Sequence, residues 1–246
     1  MKRIIFSTIV ALCAMLQNAN AQEYVDDTIY QHGINEIKSV LPATVTITNA
    51  TDGKIEVSIP ESVKEFVSVH CKNKVLYIER RDNSVTPKQL APLNEMCRIY
   101  VTVASSDITS IWNTSDMSIT FADEHCARFL RIFNTSGMFV HGDKVTAEEH
   151  IELYNTGTMT SDVKMWNTDF FVMCNTGFMY THGATSARHI QQNSTNIENT
   201  QLRVECLKLE INSTGTGVIE YIGTADEVNV NSTGDASIST SELNNE

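Results

Sequence analysis

The sequence predicts an all-β protein: a single-stranded right-handed parallel β-helix, or solenoid, with coils of about 20 residues. The first observation is an Asn followed by Thr or Ser, which recurs at spacings of 21, 21, 20, 18, 19 and 19 residues. The second is that short runs such as "LKLEIN" and "CRIYVTV" alternate apolar and polar residues, as half-buried strands do. Because connections between parallel strands are almost always right-handed, we expect a right-handed coil. The seven asparagines are Asn113, Asn134, Asn155, Asn175, Asn193, Asn212 and Asn231.

The first 21 residues form a predicted signal peptide. A basic start precedes an apolar run over residues 4–16, and the small residues 19–21 indicate cleavage near Ala21. The run is too short to span a bilayer core of roughly 30 Å. An alternative, in which Cys13 carries a lipid, is disfavoured because Leu12 stands where a small residue is needed. We therefore expect export, with the mature protein periplasmic, on the cell surface or secreted, and without a membrane span.

The mature chain is acidic and is predicted to form one continuous domain. The formal net charge is −12, and removal of residues 1–21 takes away two positive charges, which leaves 16 Lys+Arg against 30 Asp+Glu and a net charge of −14. Such a chain repels nucleic acid and anionic lipid surfaces, so neither is an expected partner. Residues 22–105 are predicted to form less regular strands or first coils. Residues 106–242 are predicted to form regular coils, within one domain over 29–242.

Several segments ahead of the repeat are predicted strands because apolar and polar residues alternate in them. They are "ATVTIT", "KIEVSIP", "FVSVHC", "KVLYIER" and "CRIYVTV". The segment "PESVKEF" is predicted to form a turn of helix between two of them.

Equivalent residues of successive coils in a solenoid stack about 4.8 Å apart. The seven asparagines are therefore predicted to form one structural ladder, in which each amide bonds to the amide of the next coil. The residue four positions after the Asn predicts a core stack, which consists of Met117, Met138, Met159, Met179 and Ile197. N-glycosylation is a competing explanation, because five of the asparagines begin an N-x-S/T signal. These five are Asn113, Asn134, Asn193, Asn212 and Asn231. We favour the structural role, because "NTG" at Asn155 and Asn175 keeps the repeat without that signal.

The order of these segments resembles the GIN-domain family of autotransporter adhesin heads. The resemblance covers about residues 33–240 and rests on "GINEIKSVLPATVTIT", "KIEVSIPESVKEFVSVHCKNKVLYIERRDN" and "CRIYVTVASSDITSIWNTSDMSI". The sequence departs from that family in having Asn-Thr-Ser or Asn-Thr-Gly where the family prefers Ser-Gly-Ser-Gly. The resemblance implies an exported β-helical protein of Gram-negative bacteria with a role in adhesion.

No catalytic, cofactor-binding or metal-binding residue is predicted, because the motifs that carry such chemistry are missing. His141 and His182 each follow their Asn by seven residues, but two coils separate them by about 10 Å, too far to share a metal. The acidic residues near the repeat do not match in offset between neighbouring coils; they are Asp116, Asp143, Asp162 and Asp169.

Cysteines and aromatic residues are expected mainly in the core. The five cysteines after the signal peptide are widely spaced, so core packing is favoured, with a Cys71–Cys97 bridge as the alternative. Four aromatic residues would make a sugar-stacking face if exposed, but their position beside the Asn column favours core packing. They are Trp112, Tyr154, Trp166 and Phe171.

These observations predict a non-enzymatic exported interaction module that binds through a rigid polar face of the β-helix, without a cofactor. The partner stays open between a glycan, a host matrix component and a surface protein. One alternative is a carbohydrate-active enzyme, a polysaccharide lyase or hydrolase, on the same scaffold. A second is a structural solenoid that assembles into homo-oligomers through its unpaired edges.

Overall fold

The structure is a computed structural model that describes residues 22–94 and 97–244. The predicted signal peptide, residues 1–21, lies outside the described residues. Strands account for 72% of residues and helix for 3%, and the chain winds into a β-solenoid of about seven turns with coils of about 20 residues. The predicted all-β solenoid is therefore confirmed. Within the described ranges, no helix has the length and apolar character needed to cross a membrane.

Seven strands and a 3-10 helix build the N-terminal part of the described chain, and they match the alternating segments of the sequence. They are β1 (Tyr24–Tyr30), β2 (Glu36–Ser39), β3 (Ala43–Thr48), β4 (Lys54–Pro60), the 3-10 helix (Glu61–Phe66), β5 (Val67–Lys72), β6 (Val75–Arg80) and β7 (Ile99–Ala104). Antiparallel pairs of β1 with β4 and of β5 with β6 form the edges at this end. The turn between β5 and β6 places Asn73 and Lys74 at φ of 53° and 65°. Asn tolerates this left-handed region better than most residues.

The coils follow in nine further strands of the described chain. They are β8 (Ser110–Asn113), β9 (Met117–Phe121), β10 (His125–Asn134), β11 (Gly137–Asn155), β12 (Thr158–Asn175), β13 (Phe178–Ser194), β14 (Ile197–Ser213), β15 (Thr216–Ser232) and β16 (Asp235–Asn244). From β11 to β15 each strand follows a whole coil and pairs in parallel with the next. These ladders continue into the N-terminal part, because β3 pairs in parallel with β9 and β2 with β8.

Each coil has three straight segments, which are separated by breaks in the burial alternation. In β11 the segments are residues 137–142, 144–147 and 150–155. We call these segments, with their equivalents in other coils, the first, second and third face. Irregularities in strand register fall at the same corners, where an additional residue lets the chain turn.

Stacked apolar side chains fill the interior. Four methionines of the predicted core stack form one inward column and are at most 5% exposed: Met117, Met138, Met159 and Met179. The prediction that Ile197 continues this stack is wrong. Ile197 is 41% exposed on the outer side of the first face, and Glu198 pairs in register with Met179. Asn193, from which the predicted offset starts, comes one residue before the ladder position of its coil, which is Ser194. A shift of one residue moves a side chain to the opposite face of a strand.

The five cysteines of the described chain are free thiols, so the alternative of a Cys71–Cys97 bridge is not realised in this structure. Cys97 and Cys206 are buried, as core packing requires, whereas Cys126 is exposed. Burial raises the pKa of the Cys71 and Cys206 thiols to about 11.

Candidate binding face

Four of the repeated asparagines form a hydrogen-bonded ladder inside the corner between the third face and the next coil. They are Asn113, Asn134, Asn155 and Asn175, each 1% exposed and in register. Asn134 Nδ2 donates to Asn155 Oδ1 at 2.8 Å and to two backbone carbonyls, one in its own turn and one in the following coil. Each ladder oxygen also accepts the backbone N–H two residues later, which is an Asx turn. The buried amides thus satisfy turn groups that water cannot reach.

The predicted ladder is wrong beyond Asn175. Three serines continue the inward register: Ser194, Ser213 and Ser232. Three asparagines lie one residue earlier and face outward: Asn193, Asn212 and Asn231. The sequence contained a signal of this change, because the spacing from Asn175 to Asn193 is 18 residues and breaks the steady period. In strands of period two, that slip reverses the face.

The inward or outward direction of each asparagine also decides whether its N-glycosylation signal is accessible. Asn113 and Asn134 are buried and their amides are hydrogen-bonded, so these side chains are closed to an attached glycan. The asparagines of the other three signals lie on the outer side of the third face.

The residues that precede the ladder positions face outward and form one column on the third face, which we call the outer column. Its members are Tyr77, Lys38, Trp112, Phe133, Tyr154, Cys174, Asn193, Asn212 and Asn231. The ring centre of Phe133 lies 3.9 Å from that of Trp112 and 4.9 Å from that of Tyr154, with interplanar angles of 13° and 4°. The three rings therefore stack face to face along the solenoid axis. Trp112 is 40% exposed, so part of the stack is open to solvent.

A lysine covers the N-terminal end of this aromatic stack. Lys38 Nζ lies 5.9 Å from the Trp112 ring centre and 6.0 Å from that of Tyr77, within cation–π range of both. Beside the stack, Arg131 Nε pairs with Glu152 Oε2 at 2.8 Å across neighbouring coils. The charges flanking the aromatic rings are thus compensated locally.

The C-terminal end of the stack borders short polar side chains. Cys174 follows Tyr154 in the outer column, and Asn193 Nδ2 lies 3.7 Å from its Sγ. Asn212 Nδ2 then donates to Asn193 Oδ1 at 3.1 Å. Partial burial, with the Glu152 carboxylate nearby, raises the pKa of the Tyr154 phenol. The outer column therefore has an aromatic half and an amide half, which meet at Cys174.

The prediction of core packing agrees with the structure for two of the four aromatic residues beside the Asn column. Trp166 and Phe171 are fully buried and contact each other with ring centres 5.7 Å apart. Trp112 and Tyr154 lie instead in the outer column. The reason is that the ladder Asn beside each of them faces inward, and successive side chains of a strand point to opposite sides.

Comparison with known proteins places this fold in a family. The family model described as "Putative auto-transporter adhesin, head GIN domain" matches residues 34–246. The chain belongs to this family. No curated protein sequence matches the GIN domain described here.

Solved structures share the architecture of this GIN domain at low sequence identity. A putative adhesin from Bacteroides fragilis is 13% identical, with 89% of this chain and 97% of that chain covered and a TM-score of 0.71. A putative lipid binding protein from Parabacteroides distasonis is 13% identical, with 91% and 98% covered and a TM-score of 0.52. A putative adhesin from Parabacteroides merdae is 12% identical, with 88% and 95% covered and a TM-score of 0.50. These likenesses show the fold alone.

Of the four acidic residues near the repeat, three lie on the surface of the GIN domain beside basic partners: Asp143, Asp162 and Asp169. Asp143 pairs with Lys164 at 2.6 Å. Asp162 lies between His141 and His182, with a carboxylate oxygen 3.6 Å from Nδ1 of each. In the part of the chain that the structure describes, no group of three or more His, Cys, Asp or Glu side chains is arranged to hold a metal ion.

A buried polar cluster inside the GIN domain was missed by sequence reasoning. Thr200 Oγ1 donates to Glu198 Oε1 at 2.8 Å, and Gln192 Nε2 donates to Thr200 Oγ1 at 3.1 Å. The Tyr221 hydroxyl donates to Gln192 Oε1 at 2.5 Å. All four side chains are fully buried. Glu198 Oε2 has no hydrogen-bond partner among the described residues. Burial raises the pKa of Glu198 to about 7, although nearby hydroxyl and amide groups oppose the rise.

Proposed function

We propose that this GIN domain is an exported, non-enzymatic interaction module that binds a partner along its third face. The observation that carries the proposal is the outer column, in which stacked, partly exposed aromatic rings continue into a row of amides. Aromatic residues with small entropy to lose commonly dominate binding energy at interfaces. Membership of the adhesin-head family supports adhesion as the purpose of binding. The predicted signal peptide supports export.

The scaffold supports binding because it holds this face rigid. Parallel ladders pair every coil of the third face with the next, and the buried Asn ladder fixes the adjacent corner. A partner therefore meets side chains whose backbone is already ordered, which lowers the entropic cost of association.

The surface acids favour binding over catalysis. A glycoside hydrolase needs two carboxyl groups about 5 to 9.5 Å apart across the scissile bond, with different protonation states. Asp143 and Asp162 instead stand beside basic side chains, away from the aromatic stack. The third face therefore offers a surface for recognition.

The experiment is a retention screen of the mature protein against immobilised glycans, matrix proteins and bacterial surface proteins. A variant with Asn212→Arg and Asn231→Arg alters the third face, and a matched variant with Thr216→Arg and Val218→Arg adds the same charge to the first face. We expect retention by the wild type and the first-face variant and loss by the third-face variant. No retention across the panel, or loss only in the first-face variant, would overturn the proposal.

A further inference from the structure

The aromatic stack of the outer column ends with one uncovered ring. Phe133 covers one side of the Tyr154 ring, and no ring in the described chain stacks on the other side. The next residue in register is Cys174, which is too short to cover an aromatic face. Coils are about 4.8 Å apart, so Cys174 occupies a level of the stack at which one further ring would fit.

The surroundings of this level are polar. Beyond Cys174, the amides of Asn193, Asn212 and Asn231 continue the column. At the adjacent corner a row of exposed threonine side chains runs parallel to the amides and includes Thr176, Thr195 and Thr214. Amide and hydroxyl groups can both donate and accept hydrogen bonds, so this strip can bind a ligand that carries many hydroxyl groups.

From this geometry we infer that the level of Cys174, on the outer side of its short side chain, is a binding slot for one pyranose ring of a neutral oligosaccharide, which stacks on the free face of Tyr154. The inference rests on the proposed function and names its ligand class. The C–H face of a pyranose is weakly positive and matches the negative face of an aromatic ring. Its hydroxyl rim and the next sugar units would then meet the Asn and Thr rows.

Charge makes a neutral ligand the better match. Glu152 lies beside Tyr154 and is already paired with Arg131, and Glu210 on the same face is paired with Lys208 at 2.6 Å. No cation of these pairs is free to receive a carboxylate. The whole chain carries a net charge of −12, which further disfavours an acidic saccharide.

The test uses Cys174→Phe, which fills the slot while keeping the Tyr154 ring and the Asn and Thr rows. The new ring would continue the stack in register and cover the Tyr154 face, so the solenoid keeps its fold while the slot is filled. Tyr154→Ala removes the stacking surface, Tyr154→Phe keeps it, and Phe170→Ala is a control, because Phe170 is 49% exposed on the same face outside the column. Circular dichroism would verify that each variant is folded.

Binding would be measured by saturation-transfer NMR and titration with cellohexaose, xylohexaose, mannohexaose, maltohexaose and chitohexaose, and with hexagalacturonate as the acidic probe. We expect at least one neutral probe to bind, with the strongest transfer to the ring C–H protons. Tyr154→Ala and Cys174→Phe should weaken binding by about tenfold or more, and Tyr154→Phe and Phe170→Ala should retain it.

Three outcomes would overturn the slot: no neutral probe binds, hexagalacturonate binds more tightly than all neutral probes, or Cys174→Phe binds as the wild type does. The retention screen tests the proposed function independently of the slot. If the retention screen finds a third-face partner while Cys174→Phe still binds it, only the slot is wrong. If the screen finds no third-face dependence, the proposed function is wrong as well.

Discussion

Replacing Glu198 with glutamine should remove a pH dependence of stability that burial of this carboxyl group creates. The side chain is fully buried, and its pKa is raised from 4.5 to about 7. Because the folded state keeps the proton up to a higher pH than the unfolded state, this contribution to stability is fully present below about pH 4.5. It is lost progressively as the pH rises through about 7.

The magnitude follows from the two pKa values. At about 1.4 kcal/mol per pH unit, the complete loss is about 3 kcal/mol, and most of it falls between pH 5 and pH 8. Glutamine keeps a hydrogen-bond acceptor for Thr200 but does not titrate. The free energy of unfolding of Glu198→Gln should therefore fall by about 2 to 3 kcal/mol less than that of the wild type over this range.

Urea unfolding followed by far-UV circular dichroism at pH 5 and pH 8 measures the difference. Other ionisable groups contribute equally to both proteins and cancel in the comparison. Glu220→Gln is the matched control, because Glu220 lies half-buried on the outer side of the first face. If wild type and Glu198→Gln lose the same stability between the two pH values, the reasoning from burial is refuted.

Further predictions concern the ladder, the core and the thiols. Asn155→Ala leaves buried turn groups of two coils without hydrogen-bond partners. It should therefore lower the free energy of unfolding by about 3 kcal/mol in urea titrations, and a loss below about 1 kcal/mol would contradict the ladder. Met179→Ala should cost about 3 kcal/mol and Ile197→Ala under about 1 kcal/mol, because only Met179 is enclosed; equal costs would argue against the register. In native protein, a maleimide reagent should modify exposed Cys126 well before buried Cys206, as read by peptide mass spectrometry, and the opposite order would contradict the assigned faces.

Much of the fold could be predicted from the sequence because two independent periods coincide in it. Alternation with period two marks strands, and a recurrence near 20 residues marks coils. The methionine column followed from the same count, since Met117, Met138, Met159 and Met179 keep a constant offset from inward asparagines. Where the coils are 20 or 21 residues long, aligning the repeated asparagines gives the same strand register as the structure.

The predicted register is wrong in the coils where asparagine no longer occupies the inward ladder position. In the last coils serine takes the inward position, and asparagine occurs one residue earlier, so matching Asn to Asn selects the wrong face. The same slip conceals Glu198, because the count from Asn193 places Ile197 at the inward position that Glu198 takes in the structure. The exposure of Trp112 and Tyr154 depended on which of two adjacent residues faces inward, and an aromatic residue is compatible with either side. That choice is made by the amide of Asn, which bonds the turn backbone on the inside.

The arrangement of the last coil has a mechanical consequence. Among the residues that the structure describes, β16 pairs with β15 along the first two faces only, and the hydrogen bonds between coils run along the solenoid axis. A force applied at β16 along the axis acts in the direction of these bonds and would break them a few at a time. A force applied at β16 across the axis, along the strand, would load many bonds of the interface together in shear. The direction in which the chain is pulled would therefore set the tension at which the coils peel apart.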